Sequence, residues 1–458
     1  MQPSDMDKRD AQVLEAEDGT KVAVAKADYS GAREKTDPKE IALVRKLDRW
    51  IMPMLWSMYW LNYLDRNAIA LARLNDLEED LNLSGTQYQT CVSILFVGYI
   101  LGQVPSNMFL TRTRPSRYMG IMMMLWAIVS GLTAVSRNFV GLLLTRFFLG
   151  VTEAPYYPGA VYLLSVFYTR KEVATRIAVL YTGNILATAF AGLIAAGIYH
   201  GLDDVAGVAG WRWLFILQGA VTFVVAVVGF FLPDFPRTTW WLTQEERDLA
   251  YSRMELDTAG NEGETGAVKG LKQAVKDPVV WVFAFMAHMH LAANGFKNFF
   301  PSVVETLNFN TTVTLVLTCP PYLIAGAVTI LVSWSSGRFN ERTWHITASK
   351  AVAVVGFVAA AAAAPGTWPG GTPPCVCAQT KEKKAAAIGL VTTLMNCSFV
   401  WTPYLWPKSG APRYVLAMAS SAAFSIATAA LAWLAKGIML RRNRKLRESE
   451  DVSVFYVY

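Results

Sequence analysis

The stretch that most constrains this chain is Asn138 to Thr169, NFVGLLLTRFFLGVTEAPYYPGAVYLLSVFYT, an apolar run of bilayer length that carries Arg146 and Glu153. At about 1.5 Å rise per residue, a hydrocarbon core of about 30 Å takes about 20 residues, so at least one of the two charges lies at membrane depth. A central charge costs about 2.5–3.5 kcal/mol on insertion scales, and such residues face a bundle interior or a wet cavity. Positions seven apart differ by about 20° around a helix, so one face carries both. They either serve a cavity or pair with other helices to hold the bundle. Pro155, Pro158 and Gly159 predict a loosened helix just past Glu153, with backbone carbonyls freed nearby.

Composition extends this reading. Of 458 residues, 53% are hydrophobic and 17% charged, whereas about 25% charged is usual in globular domains, so the chain is an all-α membrane protein. Residues 1–44 read as a disordered cytoplasmic arm without a signal peptide. The net charge of +7 comes from Lys and Arg in short loops beside apolar spans, where positive charge sets topology, which argues against nucleic acid. The cysteines form no metal spacing or disulfide framework. His288 and His290 point about 200° apart on a helix and cannot share an ion, so no metal is assigned.

Windows of spanning length fall at Ile51–Leu71, Tyr88–Leu110, Tyr118–Val135, Phe139–Phe167, Ile177–Tyr199 and Trp213–Leu232, then at Val279–Phe300, Thr314–Val332, Ile346–Ala364, Ala385–Tyr404 and Tyr414–Leu434. This divides the chain into a first bundle (45–232), a polar cytoplasmic linker (233–277) in which Thr243 and Glu246 have capping-box spacing, a second bundle (278–436) and a basic cytoplasmic tail (437–458). Eleven spans cannot place every basic segment on one face, because KEKK (381–384) and the tail would exit. The stretch 365–380, PGTWPGGTPPCVCAQT, can neither form nor fill a spanning helix, so a tenth span is expected to be missing there. The alternative is an external loop with the C-terminus outside.

Several runs carry a family resemblance: LNYLDRNAIALARL, GYILGQVPSNMFLTRTRPSRYMG, LLLTRFFLGVTEAPYYPGAVYLLSVFYTRKEVATRIA and GWRWLFILQG, with WLTQEER, FFPSVVETLNF, CPPYL, ERTWHI and PYLWPKSGAPRYVLA after them. From about Arg45 to Arg444 the chain resembles the major facilitator superfamily, and within it the fungal anion:cation symporters related to allantoate permease and nicotinate transporters. The resemblance implies two six-helix bundles, twelve spans, and a substrate held between the bundles near the midplane with alternating access by rocking. It also implies gating by the basic loops, here Arg112, Arg114 and Arg117 in the first half and Arg338, Glu341 and Arg342 in the second.

Site residues follow from membrane cost and resemblance together. Arg66 offers a planar, permanently charged fork for a carboxylate and is the leading anion ligand. Asn67 lies beside it, and Asp65 is either a second coupling acid or an ion pair holding Arg66 or a neighbouring helix. Glu153 is the expected proton carrier, with Arg146 pairing its ionised form in one state. His290, Asn294 and Asn298 fall on one face of the seventh span, whereas Lys297 near its outer end is expected to snorkel. Tyr156, Tyr157, Tyr181 and Asn184 could complete the expected pocket, although packing between helices is the better account of the tyrosines.

The function expected from this set is proton-coupled symport of a small organic anion, a vitamin carboxylate or an ureide, by a monomer in the fungal plasma membrane with its N-terminus in the cytoplasm. The proton gradient drives it and no cofactor is needed. A carrier for a secondary metabolite and a non-transporting receptor or inactive product are the alternatives. No nucleotide loop or nucleophile constellation points to a pump or an enzyme.

Overall fold

The computed structural model describes residues 37–110, 113–258, 267–339, 342–362, 381–411 and 413–448. Among them every regular element is a helix. Before the linker come α1 (Pro38–Ala72), the short α2 (Leu77–Asp80), α3 (Gln87–Leu110), α4 (Pro115–Thr133), α5 (Phe139–Glu153), α6 (Tyr156–Phe167), α7 (Arg170–Leu202) and α8 (Gly210–Gly229). The linker carries α9 (Gln244–Thr258) and α10 (Ala267–Lys276). After it come α11 (Pro278–Ala293), α12 (Phe300–Glu305), α13 (Thr311–Leu317), α14 (Cys319–Phe339), α15 (Thr343–Ala362), α16 (Lys381–Trp401) and α17 (Val415–Glu448). Among the described residues, five helical stretches are long and apolar enough to cross a membrane: Thr175–Leu202, Gly210–Gly229, Pro278–Asn298, Thr311–Ser333 and Val415–Arg444.

Helix starts follow local chemistry. The Asp37 side chain accepts from the Lys39 amide at 2.9 Å and Pro38 opens α1, so residues 38–44 are helix and not part of the N-terminal arm. That extra stretch is held by burial, since Leu43, Val44 and Leu47 pack with Leu242 and Ala250 of the linker. The capping box is reciprocal, with the Thr243 amide 2.9 Å from Glu246 Oε2 and the Glu246 amide 3.3 Å from Thr243 Oγ1. A second box, Thr169 with Glu172, opens α7 and went unread in the sequence. The helix of the fourth window stops at Glu153 and resumes at Tyr156, where Pro155 interrupts the amide ladder.

Within the first group α3 packs along α5, α4 along α8 and α1 along α7. Within the second, α11 packs along α16 and α15 along α17. The counterpart of α3 is α14, which crosses to α7 of the first group; among the described residues no helix of its own group lies along it as α5 lies along α3. Ile324, Ile330 and Leu331 on α14 are more than half exposed. The expectation that 365–380 is irregular falls outside the described residues, as do Arg112 and Glu341. The start of α16 packs on α10, and Arg442 near the end of α17 pairs with Asp277 at 2.8 Å, so both lie at the linker end.

At the end away from the linker the two groups share one core, in which Trp406 stacks on Phe299 with centroids 5.6 Å apart, beside Tyr88, Trp211 and Met418. Toward the linker the cores are largely separate, around Leu47, Met119 and Leu163 in one group and Val280, Phe283 and Met439 in the other, with Phe399 of α16 joining the first where it stacks on Phe96, centroids 4.5 Å apart. The polar contacts between groups also gather at the far end. Arg73 pairs with Glu78 at 2.9 Å and reaches Ser302 at 3.3 Å, Lys408 joins Glu78, and Gln89 donates to the Trp406 carbonyl at 3.2 Å.

Candidate functional site

A cavity of about 280 Å³ lies between the groups, lined by α1, α3, α5 and α7 on one side and α11, α14, α16 and the turn after α11 on the other. Its first half rests on the consecutive residues Asp65 and Arg66, which point about 100° apart on α1. Asp65, 1% exposed, faces α4 and accepts from Trp126 Nε1 at 2.6 Å and Ser130 Oγ at 2.7 Å. Trp126 and Ser130 are four apart and therefore on one face. Asp65 thus joins α1 to α4 through neutral donors; it is outside the cavity lining and is not the ion pair the sequence allowed.

Arg66 faces the cavity. Its Nε donates to Glu153 Oε2 at 2.8 Å, and its guanidinium carbon lies 4.8 Å from the Tyr99 ring centre and 5.4 Å from that of Tyr63. Glu153 is 1% exposed and its Oε1 has no hydrogen-bond partner. Arg146 lines the cavity at 2% exposure, with Nε and Nη1 also unpartnered. The hydrogen-bonded partner of Glu153 in this state is Arg66 from α1, and the pairing with Arg146 expected in one state is not formed here.

Asn67 Nδ2 donates to Thr188 Oγ1 at 3.2 Å, and Thr188 Oγ1 donates to the Asn184 carbonyl at 2.9 Å. Both asparagines line the cavity, as does Tyr181. Tyr156 does not: its hydroxyl donates to the Leu55 carbonyl at 2.5 Å and its ring stacks on Tyr59, which makes it a packing residue. Tyr157 likewise packs near Tyr59.

From the second group His290, Asn294, Lys297 and Asn298 line the cavity. The α-helix ends at Ala293 and a 3-10 turn over Asn294–Asn298 follows, which brings Lys297 inward; it is not a snorkelling end residue. Its Nζ stands 5.5 Å from the ring centres of both Tyr63 and Phe399. His290 Nε2 lies 3.2 Å from Asn294 Nδ2, while His288 Nδ1 faces the Leu394 carbonyl at 2.7 Å on another side of the helix. Sequence reasoning missed Tyr322 and Asn396, also in the lining; neither carries a signal that sets it apart from ordinary span residues. Of the expected gating residues, Arg114 and Arg117 are exposed at the linker end and Arg342 is half-buried.

The model of the Major Facilitator Superfamily matches residues 55–430. The chain is 35% identical over 70% of its length to "MFS transporter prlL" of Fungal sp. (strain NRRL 50135), and 34% identical over 70% to "Major facilitator-type transporter hxnP" of Emericella nidulans. The chain spans just under two thirds of the length of these relatives, 66% and 65%. Among solved structures, the partially occluded, inward-open xylose transporter XylE from E. coli superposes with a TM-score of 0.53 at 15% identity, covering 84% of this chain and 91% of that one. The matched family, the transporter relatives and the shared all-helical fold agree: the chain belongs to the major facilitator superfamily.

Proposed function

We propose that the protein is a secondary active transporter that carries a small organic anion together with a proton, in the manner of the anion:cation symporters. The observation that carries this reading is Arg66, on the wall of a cavity between the two helix groups, held by Glu153 buried just behind that wall. A buried guanidinium needs an anionic partner, and a carboxylate arriving from solution competes with Glu153 for the same fork. Once displaced, Glu153 faces the cost of an unpaired buried charge and is relieved of it by a proton. Anion and proton then load together, because each makes room for the other. Arg146, with its unpartnered Nε and Nη1, gives the carboxylate of Glu153 a second place to go when the proton leaves.

In this proposal the bundles 45–232 and 278–436 rock about the linker, which lies in the cytoplasm with the basic loops. The shared core at the far end and the largely separate cores toward the linker support a state open inward. The test is uptake of labelled carboxylates, nicotinate and allantoate among them, into proteoliposomes with and without an imposed pH gradient. Accumulation that follows the gradient and collapses with a protonophore is the expected result. Uptake of no carboxylate, or uptake indifferent to the gradient, overturns the reading.

A further inference from the structure

The two helix groups divide the buried charge unevenly. Both membrane-depth acids, Asp65 and Glu153, belong to the first group. From Pro278 to Glu448 the acids are Glu305, Glu341, Glu382 and Glu448, and the three among the described residues, Glu305, Glu382 and Glu448, each stand at the end of a helix. The same stretch nevertheless places Lys297 at the cavity wall, and Lys350, 6% exposed, on α15. Among the described residues no carboxylate lies within ion-pair distance of Lys297. Its neighbours are the faces of Tyr63 and Phe399, which attract a cation without neutralising it.

Arg66 and Lys297 approach the same ring. The Tyr63 centroid is 5.4 Å from the guanidinium carbon and 5.5 Å from the ammonium, so the two cationic heads, one from each group, stand at most about 11 Å apart across the cavity. Exchange of Glu153 for a substrate carboxylate satisfies Arg66 and leaves Lys297 as it was. Closure around such a load desolvates an uncompensated ammonium, at a cost of several kcal/mol.

We infer that the load is a dianion, a short dicarboxylate with one carboxylate taken by Arg66 and the other by Lys297. This rests on the organic-anion reading and deepens it. One molecule then bridges the groups, so its binding favours the state in which the two cations are closest. Asn184, Asn294 and Asn396 line the space between, with amides suited to polar substituents on the connecting carbons.

The experiment compares succinate, glutarate and adipate with their monoamides, as competitors and as labelled substrates, on the full chain in proteoliposomes. The expected half-saturation concentration is about tenfold lower or more for the best dicarboxylate than for its monoamide. Lys297→Gln brings that ratio to about one, and Lys297→Arg, which keeps the charge, retains it. A wild-type ratio of one, or a ratio that survives Lys297→Gln, overturns the dianion while leaving the organic-anion reading standing. A wild-type protein that binds none of these acids in either form, nor any other carboxylate, overturns both. If the Gln variant does not fold, the wild-type ratio and the Arg variant decide.

Discussion

Arg66 and Glu153 stand 87 positions apart in the chain and 2.8 Å apart in the structure, joined by a hydrogen bond from Nε to Oε2. Of the three guanidinium nitrogens only Nε is hydrogen-bonded to Glu153. The pair is thus formed without using all of the fork.

Arg66→Lys keeps the charge and loses that geometry. An ammonium offers no planar fork for which Glu153 and an incoming carboxylate can compete. The expected outcome is a fall in transport of about tenfold or more with the protein still folded, read from concentration-dependent uptake beside a size-exclusion profile. Unchanged apparent affinity removes Arg66 from the site.

Glu153→Gln holds this position permanently neutral. Accumulation driven by a pH gradient is expected to disappear, while counterflow of internal for external substrate persists in part, because exchange needs no net proton movement. A Gln variant that still concentrates substrate in response to the gradient makes Glu153 a structural residue.

Asp65→Asn tests the assignment of Asp65 to packing. The carboxylate accepts two hydrogen bonds that tie α1 to α4, and an amide retains one acceptor in place of two. A loss of about 1–3 kcal/mol is expected, read as a lower unfolding temperature in detergent. The folded fraction is expected to keep its response to the pH gradient; loss of coupling at unchanged stability sends the proton path back through Asp65.

At the linker end the pH dependence has a definite sign. Burial pushes the Glu246 carboxyl up, but its hydrogen bonds with Lys46, at 2.7 Å, and with Thr243 outweigh this and hold it below the ordinary value of 4.5. A carboxyl lowered by folding stabilises the folded state above its unfolded value, and the contribution is lost as pH falls through the folded one. Both side chains are about a third exposed, at 35% and 28%, so the pair contributes no more than about 1 kcal/mol. Lys46→Gln is expected to lower the melting temperature slightly at pH 7 and to make no difference near pH 3; equal effects at both discount the pair.

How much of this was legible depends on whether the cause was local. The break after Glu153 is a proline effect acting within one turn, and the capping box of Thr243 with Glu246 acts over four residues, so both could be read directly. The charges at Arg66, Arg146 and Glu153 announced themselves by their cost in an apolar run. Which acid Arg66 would meet could not be read, because that is decided by how α1 lies against α5. Lys297 was misjudged for a related reason: hydropathy continues through Phe300, whereas the α-helix ends at Ala293, and the 3-10 turn changes where the side chain points. For Tyr156 the sequence left pocket and packing both open with packing the better account, and the hydrogen bond to the Leu55 carbonyl decides for packing.

Gly98 on α3 and Gly150 on α5 lie in a seam where main chain touches main chain: an added Cβ on Gly98 meets the Phe147 carbonyl, and one on Gly150 meets that of Leu95. Small residues let membrane helices approach this closely, and such a contact has no side chains to reshuffle when one helix slides past the other. Between its two charges, then, α5 is riveted to α3, and the strip that carries Arg146 and Glu153 travels with α3 as one plank. Any tilting of the helix beyond Glu153 is left to the joint at Ala154 and Pro155, where the helix is already broken between Glu153 and Tyr156.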